Sequence, residues 1–371
     1  GQQKPFISQA SHPHFAVPFP ASIAAYLSVG SSPEMATYAG GANTEENNQT
    51  VLSTLPKELP LDFLRTITDQ FSDHRILGTG AFGTVYTGVM PDSQRIAMKK
   101  LAESAPVARD KAFTNEVQNI MALHHKNVVK LVGYCHEGQK KVVQNNGRYI
   151  VADVYESLLC YEYLPMGSLQ KNLFDKPINM AWDARFKIIK GICDGLLFLH
   201  RIPITHMDLK PQNILLDNNM ILKIADFGLS RLFGQEQTRA NTQNVVGSYG
   251  YIAPEYLYRG EISAQSDIYS LGLLIIETTT GEKNNPKQNE PSAREFIERV
   301  RQNWTEGHIA SRYSKLNANG LQEVKVCIEI GLDCVRIDRK SRPSIESIVQ
   351  RLDGRCASKR ANQFSTTSMR S

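Results

Sequence analysis

Residues 206–213 read His-Met-Asp-Leu-Lys-Pro-Gln-Asn, and this short stretch decides how the chain is interpreted. Within one loop it holds a carboxylate, a cation and a side-chain amide, at Asp208, Lys210 and Asn213. Further along, a strand-like run at residues 221–224 leads into Asp226, which begins the sequence Asp-Phe-Gly. A merely acidic loop is the alternative, and the position of the second acidic segment behind a strand disfavours it. We therefore expect these polar side chains to meet in one site.

A glycine-rich segment at residues 78–85, Gly-Thr-Gly-Ala-Phe-Gly-Thr-Val, precedes these stretches. The G-x-G-x-x-G pattern alone is weak evidence, because dinucleotide-binding folds use it between a strand and a helix. Here residues 84–88 continue as a strand, and Lys99 follows on the next strand-like run. The backbone can approach phosphates without a Cβ in the way at three positions, Gly78, Gly80 and Gly83. The context therefore favours a phosphate-binding loop between two strands.

Two further charges belong to the same constellation. Lys99 lies two residues after Ala97, and Glu116 lies three residues after Phe113 on a predicted helix at residues 112–123. Taken singly, both charges are most simply surface charges. In this context we expect them to form an ion pair, because a lysine that binds phosphates needs an anion to hold it in place.

Read in order, the segments resemble the protein kinase signature set. They are residues 78–85, residues 97–99, Glu116, residues 206–213, residues 226–228 and residues 253–255. The resemblance implies an α+β, bilobal protein kinase fold, with a small β-rich N-lobe that carries one regulatory helix and a larger helical C-lobe. It also implies transfer of the γ-phosphoryl group of ATP to protein hydroxyls, with Mg²⁺ as the metal and Mn²⁺ as the alternative.

The same resemblance assigns roles to the catalytic residues. Asp208 orients the substrate hydroxyl and accepts its proton, and Lys210 adds positive charge at the γ-phosphate. Lys99 contacts the α- and β-phosphates and is held by Glu116. The implied metal ligands are Asn213 and Asp226.

The implied nucleotide pocket uses side chains from both lobes. Val85 and Ala97 cover the adenine from above, Leu215 covers it from below, and Tyr161 lies at the back. Backbone groups from Glu162 to Leu164 face the adenine. The full nucleotide-binding set is Gly78, Gly80, Phe82 (which caps the glycine turn), Gly83, Val85, Ala97, Lys99, Tyr161, Glu162, Leu164 and Leu215.

Further local matches are similar to plant receptor-like kinases of the Pelle and interleukin-receptor-associated group, with the cysteine-rich receptor-like branch as the nearest. The matching residues are 71–72, 125–135, 161–169 and 247–255. This resemblance implies a receptor-linked Ser/Thr kinase with a protein substrate and an upstream receptor or adaptor. It places the chain in the cytoplasm, with the inner face of the plasma membrane as a second location. Lys210, two residues past Asp208, is typical of Ser/Thr specificity. A pseudokinase scaffold and activity toward tyrosine stay open as alternatives.

Two structural contacts are also expected from the resemblance. Glu255 is expected to pair with Arg342 and to fix the substrate-docking loop against the last helices. Asp267, at the start of an apolar helix, is expected to hold the backbone of the catalytic loop from beneath.

Composition narrows the class of protein. The net charge of +5 over 371 residues, with scattered Lys and Arg, argues against a nucleic-acid partner. No window reaches the roughly 20 apolar residues of a membrane helix, so no transmembrane segment is predicted. The six cysteines form no C-x-x-C pair, which argues against a zinc site and favours buried free thiols in a reducing compartment.

The chain divides into three predicted regions. Residues 1–58 are predicted to be disordered, residues 59–353 to form the kinase domain, and residues 354–371 to form a disordered tail. Within the domain, the N-lobe is placed at residues 72–161, the hinge at 162–165 and the C-lobe at 166–353.

An unusual stretch lies at residues 137–157. Asn146-Gly147 between two β-rich runs predicts a hairpin. A protruding ribbon for a partner and a lengthened loop without a role are both open interpretations, and the second is favoured because surface loops tolerate insertions.

Met207 stands where most active kinases carry Arg, which makes this catalytic loop the non-RD type. An arginine there pairs with a phosphate on the activation loop, and methionine has no charge to do so. We therefore hypothesise control that does not depend on phosphate at Thr238 or Thr242. The alternative is that Met207 is neutral and that Arg231 or Arg239 takes the phosphate.

Overall fold

The computed structural model describes residues 55–103, 107–145, 147–233, 239–286 and 292–354. The predictions of disorder for residues 1–54 and 355–371 lie outside these residues, as does Cys356. The boundaries of the predicted regions remain predictions.

The N-lobe is built on a six-stranded sheet with the strand order β1-β5-β6-β4-β3-β2. Neighbouring strands are antiparallel, except that β1 pairs in parallel with β5. Strand β1 was not expected from the sequence, because two residues carry no periodicity. The strands are β1 Lys57–Glu58, β2 Ile76–Gly80, β3 Gly83–Val89, β4 Arg95–Leu101, β5 Leu131–Asn145 and β6 Arg148–Glu162.

Two helices cover the two faces of this sheet. Helix α1 (Leu61–Ile67) buries Leu64 against Met98 and Cys160 on one face. Helix α2 (Arg109–Ile120) buries Phe113, Val117 and Ile120 on the other face. Because Glu116 is adjacent to Val117 on this apolar side, it is carried into the interior, and its side chain is fully buried. The packing of α2 thus places one carboxylate beneath the sheet.

The C-lobe is mainly helical, which confirms the bilobal architecture expected from the sequence. Its central helix, α5 (Ala264–Thr280), is buried along nearly its whole length, and at its start the backbone N–H of Ser263 donates to Ser266 Oγ at 3.4 Å. The helices are α3 Trp182–Arg201, α4 Pro254–Arg259, α5 Ala264–Thr280, α6 Arg294–Asn303, α7 Glu306–Arg312, α8 Ala318–Cys334 and a last helix at residues 345–354. The sequence pattern missed α4 and α7, which are too short for a clear helical period.

Short strands and single turns of helix position the loops of the C-lobe. The strands are β7 Gly167–Ser168, β8 Ile204–Thr205, β9 Ile214–Leu216, β10 Leu222–Ile224, β11 Arg231–Leu232, β12 Ala240–Asn241 and β13 Glu261–Ile262. The tight helical turns are Asp73–Arg75, Lys171–Asp175, Pro211–Asn213 and Arg339–Ser341. The β9–β10 hairpin lies between the segment at residues 206–213 and the segment at 226–228. Strand β10 is the strand-like run that the sequence predicted at residues 221–224.

Residues 137–157 form a two-stranded ribbon, which confirms the predicted hairpin. Strands β5 and β6 pair without interruption out to Asn145 and Arg148, whereas β4 accompanies β6 only from Leu158 to Glu162. The ribbon therefore extends beyond the sheet. At its base the Tyr155 ring stacks on His136 at 4.9 Å, and His136 stacks on Phe113 of α2 at 5.0 Å.

The cysteines within the described residues are buried and free, as expected. Burial raises the pKa of the Cys160 thiol to about 12, so this group is not a reactive thiolate at neutral pH. Among the helices that the structure describes, none combines the length and the apolar composition that a membrane span requires.

Candidate active site

Lys99 forms a bridge between two acidic side chains from different parts of the chain. Its Nζ lies 2.6 Å from Asp226 Oδ1 and 3.3 Å from Glu116 Oε2. Burial on its own would lower the pKa of Lys99, but the carboxylates of Asp226 and Glu116 outweigh it and raise that pKa above its ordinary value. The ammonium therefore remains charged inside the cleft.

Asp226 is the reciprocal partner of this lysine. Burial favours its neutral form, yet the ammonium of Lys99 holds the pKa of the Asp226 carboxyl below its ordinary value. Its side chain keeps 23% exposure toward the cleft, in contrast to the fully buried Glu116. Asp226 is thus an ionised carboxylate that a ligand in the cleft can reach.

Glu116 is held from three directions. Tyr161 donates its hydroxyl proton to Glu116 Oε1 at 2.5 Å, and the backbone N–H of Phe227 donates to the same oxygen at 3.1 Å. The other oxygen faces Lys99. Helix α2, the back of the cleft and the segment at residues 226–228 are therefore locked together through one carboxylate.

Asp208 lies in a dense hydrogen-bond network. Lys210 Nζ donates to Asp208 Oδ2 at 2.7 Å, and the Ser248 hydroxyl donates to Asp208 Oδ1 at 2.8 Å. Asn213 Nδ2 donates to the backbone carbonyl of Asp208 at 2.8 Å and to its Oδ2 at 3.1 Å. Lys210 also donates to Ser248 Oγ at 2.7 Å, so Asp208, Lys210 and Ser248 form one hydrogen-bonded cluster.

The loop that carries Asp208 is anchored from beneath by Asp267, as predicted. The carboxylate of Asp267 accepts the backbone N–H groups of His206 at 2.7 Å and of Met207 at 2.9 Å. The ring of His206 contacts Phe227 edge-on at 4.8 Å between centroids, and its Nε2 lies 3.0 Å from the carbonyl of Ala225. The two acidic loops therefore share one buried support.

The ion pair between Glu255 and Arg342 is also present, as predicted. Two parallel contacts of 2.7 Å join the guanidinium to the carboxylate, and both side chains are buried. Arg342 additionally donates to the carbonyls of Arg336 and Gln265 at 2.8 Å. This pair ties the start of α4 to the segment that precedes the last helix.

The lobes enclose a cleft of about 690 Å³ beside Lys99. Most of the sequence-predicted nucleotide and metal residues line it, namely Gly78, Val85, Ala97, Lys99, Glu116, Tyr161, Glu162, Leu164, Asn213, Leu215 and Asp226. Gly80, Phe82, Gly83, Asp208 and Lys210 are not among its lining residues.

Gly83 has a structural reason to be glycine. Its φ is +140°, and a Cβ there would lie 2.1 Å from the carbonyl oxygen of Lys100. Any side chain would therefore push β3 away from β4. Phe82, next to it, places its ring 5.8 Å from Lys99 Nζ.

Several cleft residues were not anticipated from the sequence. They are Leu77, Val129, Gly167, Ser168, Lys171, Asp175, Lys176, Gln212 and Ala225. Leu77, directly before the glycine-rich segment, could have been recognised from its position. The two lysines, Lys171 and Lys176, carried no motif, because they reach the cleft through a turn of helix without regular spacing.

Comparison with known proteins is consistent with this geometry. A family model described as "Protein kinase domain" matches residues 71–352. Cysteine-rich receptor-like protein kinase 36 of Arabidopsis thaliana is 38% identical over 313 residues, covering 83% of this chain and 44% of the relative. Cysteine-rich receptor-like protein kinase 6 of Oryza sativa subsp. japonica is 37% identical over 323 residues, covering 85% and 44%.

A third relative belongs to a differently named group of receptor-like kinases. The G-type lectin S-receptor-like serine/threonine-protein kinase SRK of Arabidopsis thaliana is 40% identical over 309 residues, covering 79% of this chain and 34% of the relative. The chain thus spans less than half the length of these relatives. The similarity to plant receptor-like kinases expected from the sequence is confirmed. Since the family model covers most of the chain and the kinase signature segments meet in one cleft, this chain belongs to the protein kinase family.

Proposed function

We propose that this chain transfers the γ-phosphoryl group of ATP to serine or threonine hydroxyls of protein substrates. The observation that carries the proposal is the bridge of Lys99 to both Glu116 and Asp226. In kinases the Lys–Glu pair and the metal-binding Asp must be in place together for transfer. Here Lys99 contacts both carboxylates in one arrangement, with Asp208 on the neighbouring loop, and this supports the proposal.

The roles of the residues follow from their surroundings. Asp208, with one oxygen accepting from Lys210 and the other from Ser248, is positioned to accept a hydrogen bond from a substrate hydroxyl and to orient it. Lys210 neutralises charge close to the site of transfer. Lys99 binds phosphate oxygens, and Glu116 keeps the ammonium from turning away. The buried anchor at Asp267 keeps the loop rigid.

Protein kinases use ATP together with a divalent metal, and the donors in this cleft suit Mg²⁺. Mg²⁺ takes hard oxygen ligands and is usually held by one or two side chains plus substrate phosphates and water. Asp226 and Asn213 line the same cleft and supply that chemistry. Among the described residues, no group of three or more His, Cys, Asp or Glu side chains has metal-site geometry. We therefore propose that the metal takes its remaining ligands from the phosphates and water. When bound, the metal neutralises the phosphate charge.

The acceptor residue, the upstream partner and the cellular location are proposed from the relatives. Their names include a serine/threonine-protein kinase and receptor-like kinases, which supports serine and threonine as acceptors and an upstream receptor or adaptor as partner. We place the kinase on the cytoplasmic side of a membrane-linked pathway for the same reason. The scaffold alternative gains no support from these relatives.

The direct test is incubation of the purified chain with γ-labelled ATP and Mg²⁺ or Mn²⁺, followed by mapping of phosphorylated residues on the chain and on a generic protein substrate. The matched control is Asp208→Asn, which keeps the shape of the side chain and removes its charge. We expect serine and threonine labelling that falls at least ~10²-fold in the control. Labelling equal to that of the control would overturn the proposal, and labelling confined to tyrosine would overturn the specificity.

A further inference from the structure

A second concave surface lies on the C-lobe, away from the cleft described above. It is a groove of about 670 Å³ between α4, α6 and residues 335–337, and we call it the arginine groove. Four arginines line it, together with two apolar side chains that stand in solvent, Tyr258 at 71% exposure and Ile337 at 81% exposure. The arginines are Arg259, Arg294, Arg301 and Arg336.

The acidic side chains around this groove do not balance its arginines. Three carboxylates pair with arginines that line the groove. Two of these three carboxylates also pair with a second arginine, which lies outside the groove. Glu255 also lines the groove but is already paired with Arg342. With Arg294, seven arginines face four carboxylates, so this set carries an excess of three positive charges. The pairs are Arg259–Glu261 at 2.9 Å, Arg339–Glu261 at 3.3 Å, Arg336–Asp333 at 2.6 Å, Arg351–Asp333 at 3.0 Å and Arg301–Glu298 at 2.5 Å.

From this combination we infer that the arginine groove docks an acidic segment of a protein substrate, one that also carries apolar side chains. The excess positive charge selects carboxylates, and Arg can bind them in a bidentate manner. Tyr258 and Ile337 offer apolar contacts of the kind that contribute most when an interface forms. The chain's own residues 355–371 do not fit, because they hold four cations and no carboxylate.

The position of the groove explains why a substrate would use it. Ser248 contacts Asp208, and Pro254 at the groove edge follows only six residues later. Six residues span at most roughly 20 Å, so the groove edge lies within that distance of Ser248. A substrate would therefore need up to about six extended residues between the accepting hydroxyl and the groove edge, with its acidic segment beyond them. This inference rests on the proposed function for its substrate role.

The first arm of the test measures binding without ATP. The probe is a fluorescein-labelled peptide of glutamate, aspartate and leucine, and its control replaces the acids with their amides. We expect the acidic probe to bind at low salt, to weaken as salt rises, and to lose at least about tenfold in affinity in the Arg294→Ala/Arg336→Ala variant. Ile337→Ser should weaken it as well. The matched control is Arg201→Ala/Arg312→Ala, two exposed arginines elsewhere on the C-lobe.

The second arm measures kinetics on an acceptor peptide with and without the acidic segment. We expect the KM of the longer peptide to rise in Arg294→Ala/Arg336→Ala with kcat unchanged, while the short peptide is unaffected. Equal probe affinity in both arginine variants, or no binding of the acidic probe to the parent chain, would overturn the inference. Probe binding in a chain that transfers no phosphate would count against the proposed function and would still support the groove.

Discussion

Tyr161 and Glu116 are joined by a hydrogen bond of 2.5 Å between the phenol and a fully buried carboxylate. Tyr161 is the second-last residue of β6 and lies at the back of the cleft, whereas Glu116 lies on α2. The bond therefore couples the position of the regulatory helix to the nucleotide pocket. The sequence implied a place for each residue in the site but not the contact between them.

Removing this hydroxyl should loosen α2 without changing the charges of the site. In Tyr161→Phe, Glu116 Oε1 keeps only the backbone N–H of Phe227, and a buried acceptor that loses a partner costs about 1–3 kcal/mol. We expect lower thermal stability together with a fall in kcat of roughly tenfold. Unfolding temperature and kcat report the two effects. Tyr149→Phe, on a side chain that is 75% exposed, is the control and should change neither.

The charges around Lys99 should show non-additive behaviour. Lys99→Met removes the ammonium and leaves Asp226 without its ion-pair partner, and Asp226→Asn should itself reduce transfer at least ~10²-fold. Both single variants are expected to be inactive. Because the unpaired charge is the source of instability in Lys99→Met, adding Asp226→Asn should recover part of its lost stability.

Denaturant unfolding of the two single variants and the double variant gives the coupling energy. Stabilities that simply add would mean that the lysine and the aspartate do not interact in solution. Full transfer activity in Asp226→Asn would refute the assignment of that residue.

We expect the tip of the ribbon to be dispensable for ATP turnover, whereas the base of the ribbon contacts α2 through stacked rings. Lys141 and Ala152 are paired partners, so replacing Val142 to Val151 with a short Gly-Ser turn closes the hairpin without strain. ATP turnover should stay close to that of the parent. Tyr155→Ala should lower turnover, because it removes the ring that stacks on His136 and through it on Phe113 of α2. A shortened chain that folds but loses turnover would contradict this expectation.

Met207 lies in an apolar cluster. It is 8% exposed and packs in the same cluster as Phe233, Ile252 and Tyr256. We expect Thr238→Ala/Thr242→Ala to keep activity on an outside substrate within about threefold of the parent, a barrier change of ~0.7 kcal/mol. Met207→Arg would place a cation in this cluster and should lower stability. A hundredfold fall in the double alanine variant would refute phosphate-independent control.

Two hydroxyl side chains between Asp226 and Glu255 form hydrogen bonds within the protein. Ser230 is buried, where it donates to the carbonyl of Phe227 at 2.6 Å and accepts from Asn119 at 2.8 Å. Thr242 is half-buried, with its hydroxyl donating to the carbonyl of Asn244. Thr238 lies outside the described residues.

Glu277 gives the fold a pH dependence near neutrality. It is fully buried, and desolvation raises the pKa of Glu277 from 4.5 to about 7, although the N–H of Asn284 and the hydroxyl of Tyr251 oppose the shift. The folded state then holds a proton that the unfolded state releases, so stability is greatest below pH 4.5 for this group and falls as pH rises through 7. A shift of this size corresponds to about 3 kcal/mol at most.

Glu277→Gln tests this directly. The amide keeps an acceptor for Tyr251 and cannot ionise, so the loss of stability between pH 5 and pH 8 should shrink. Denaturant unfolding at a series of pH values measures it, with the exposed Glu346→Gln as control. Parallel stability curves for the parent and Glu277→Gln would show that Glu277 does not titrate in this range.

The resemblance of the signature segments to protein kinases was enough to predict the contacts that kinase chemistry requires. Lys99–Glu116, Glu255–Arg342 and the support of the catalytic loop by Asp267 were all expected, because each needs a particular charge at a particular place in a signature. Contacts that depend on packing were not predictable. The bond from Tyr161 to Glu116, the cluster around Met207 and the burial of Glu277 join residues whose local sequence carries no sign of the partner.

The ion pair of Glu255 and Arg342 has a consequence for synthesis of the chain. The two residues are 87 positions apart, and Arg342 lies just before the last helix. At about 5–20 residues per second, a ribosome takes roughly 4–17 s to travel from one to the other. During that interval the C-lobe cannot bury the Glu255 carboxylate with its partner, so the nascent lobe is expected to stay open around α4 until its final helices emerge.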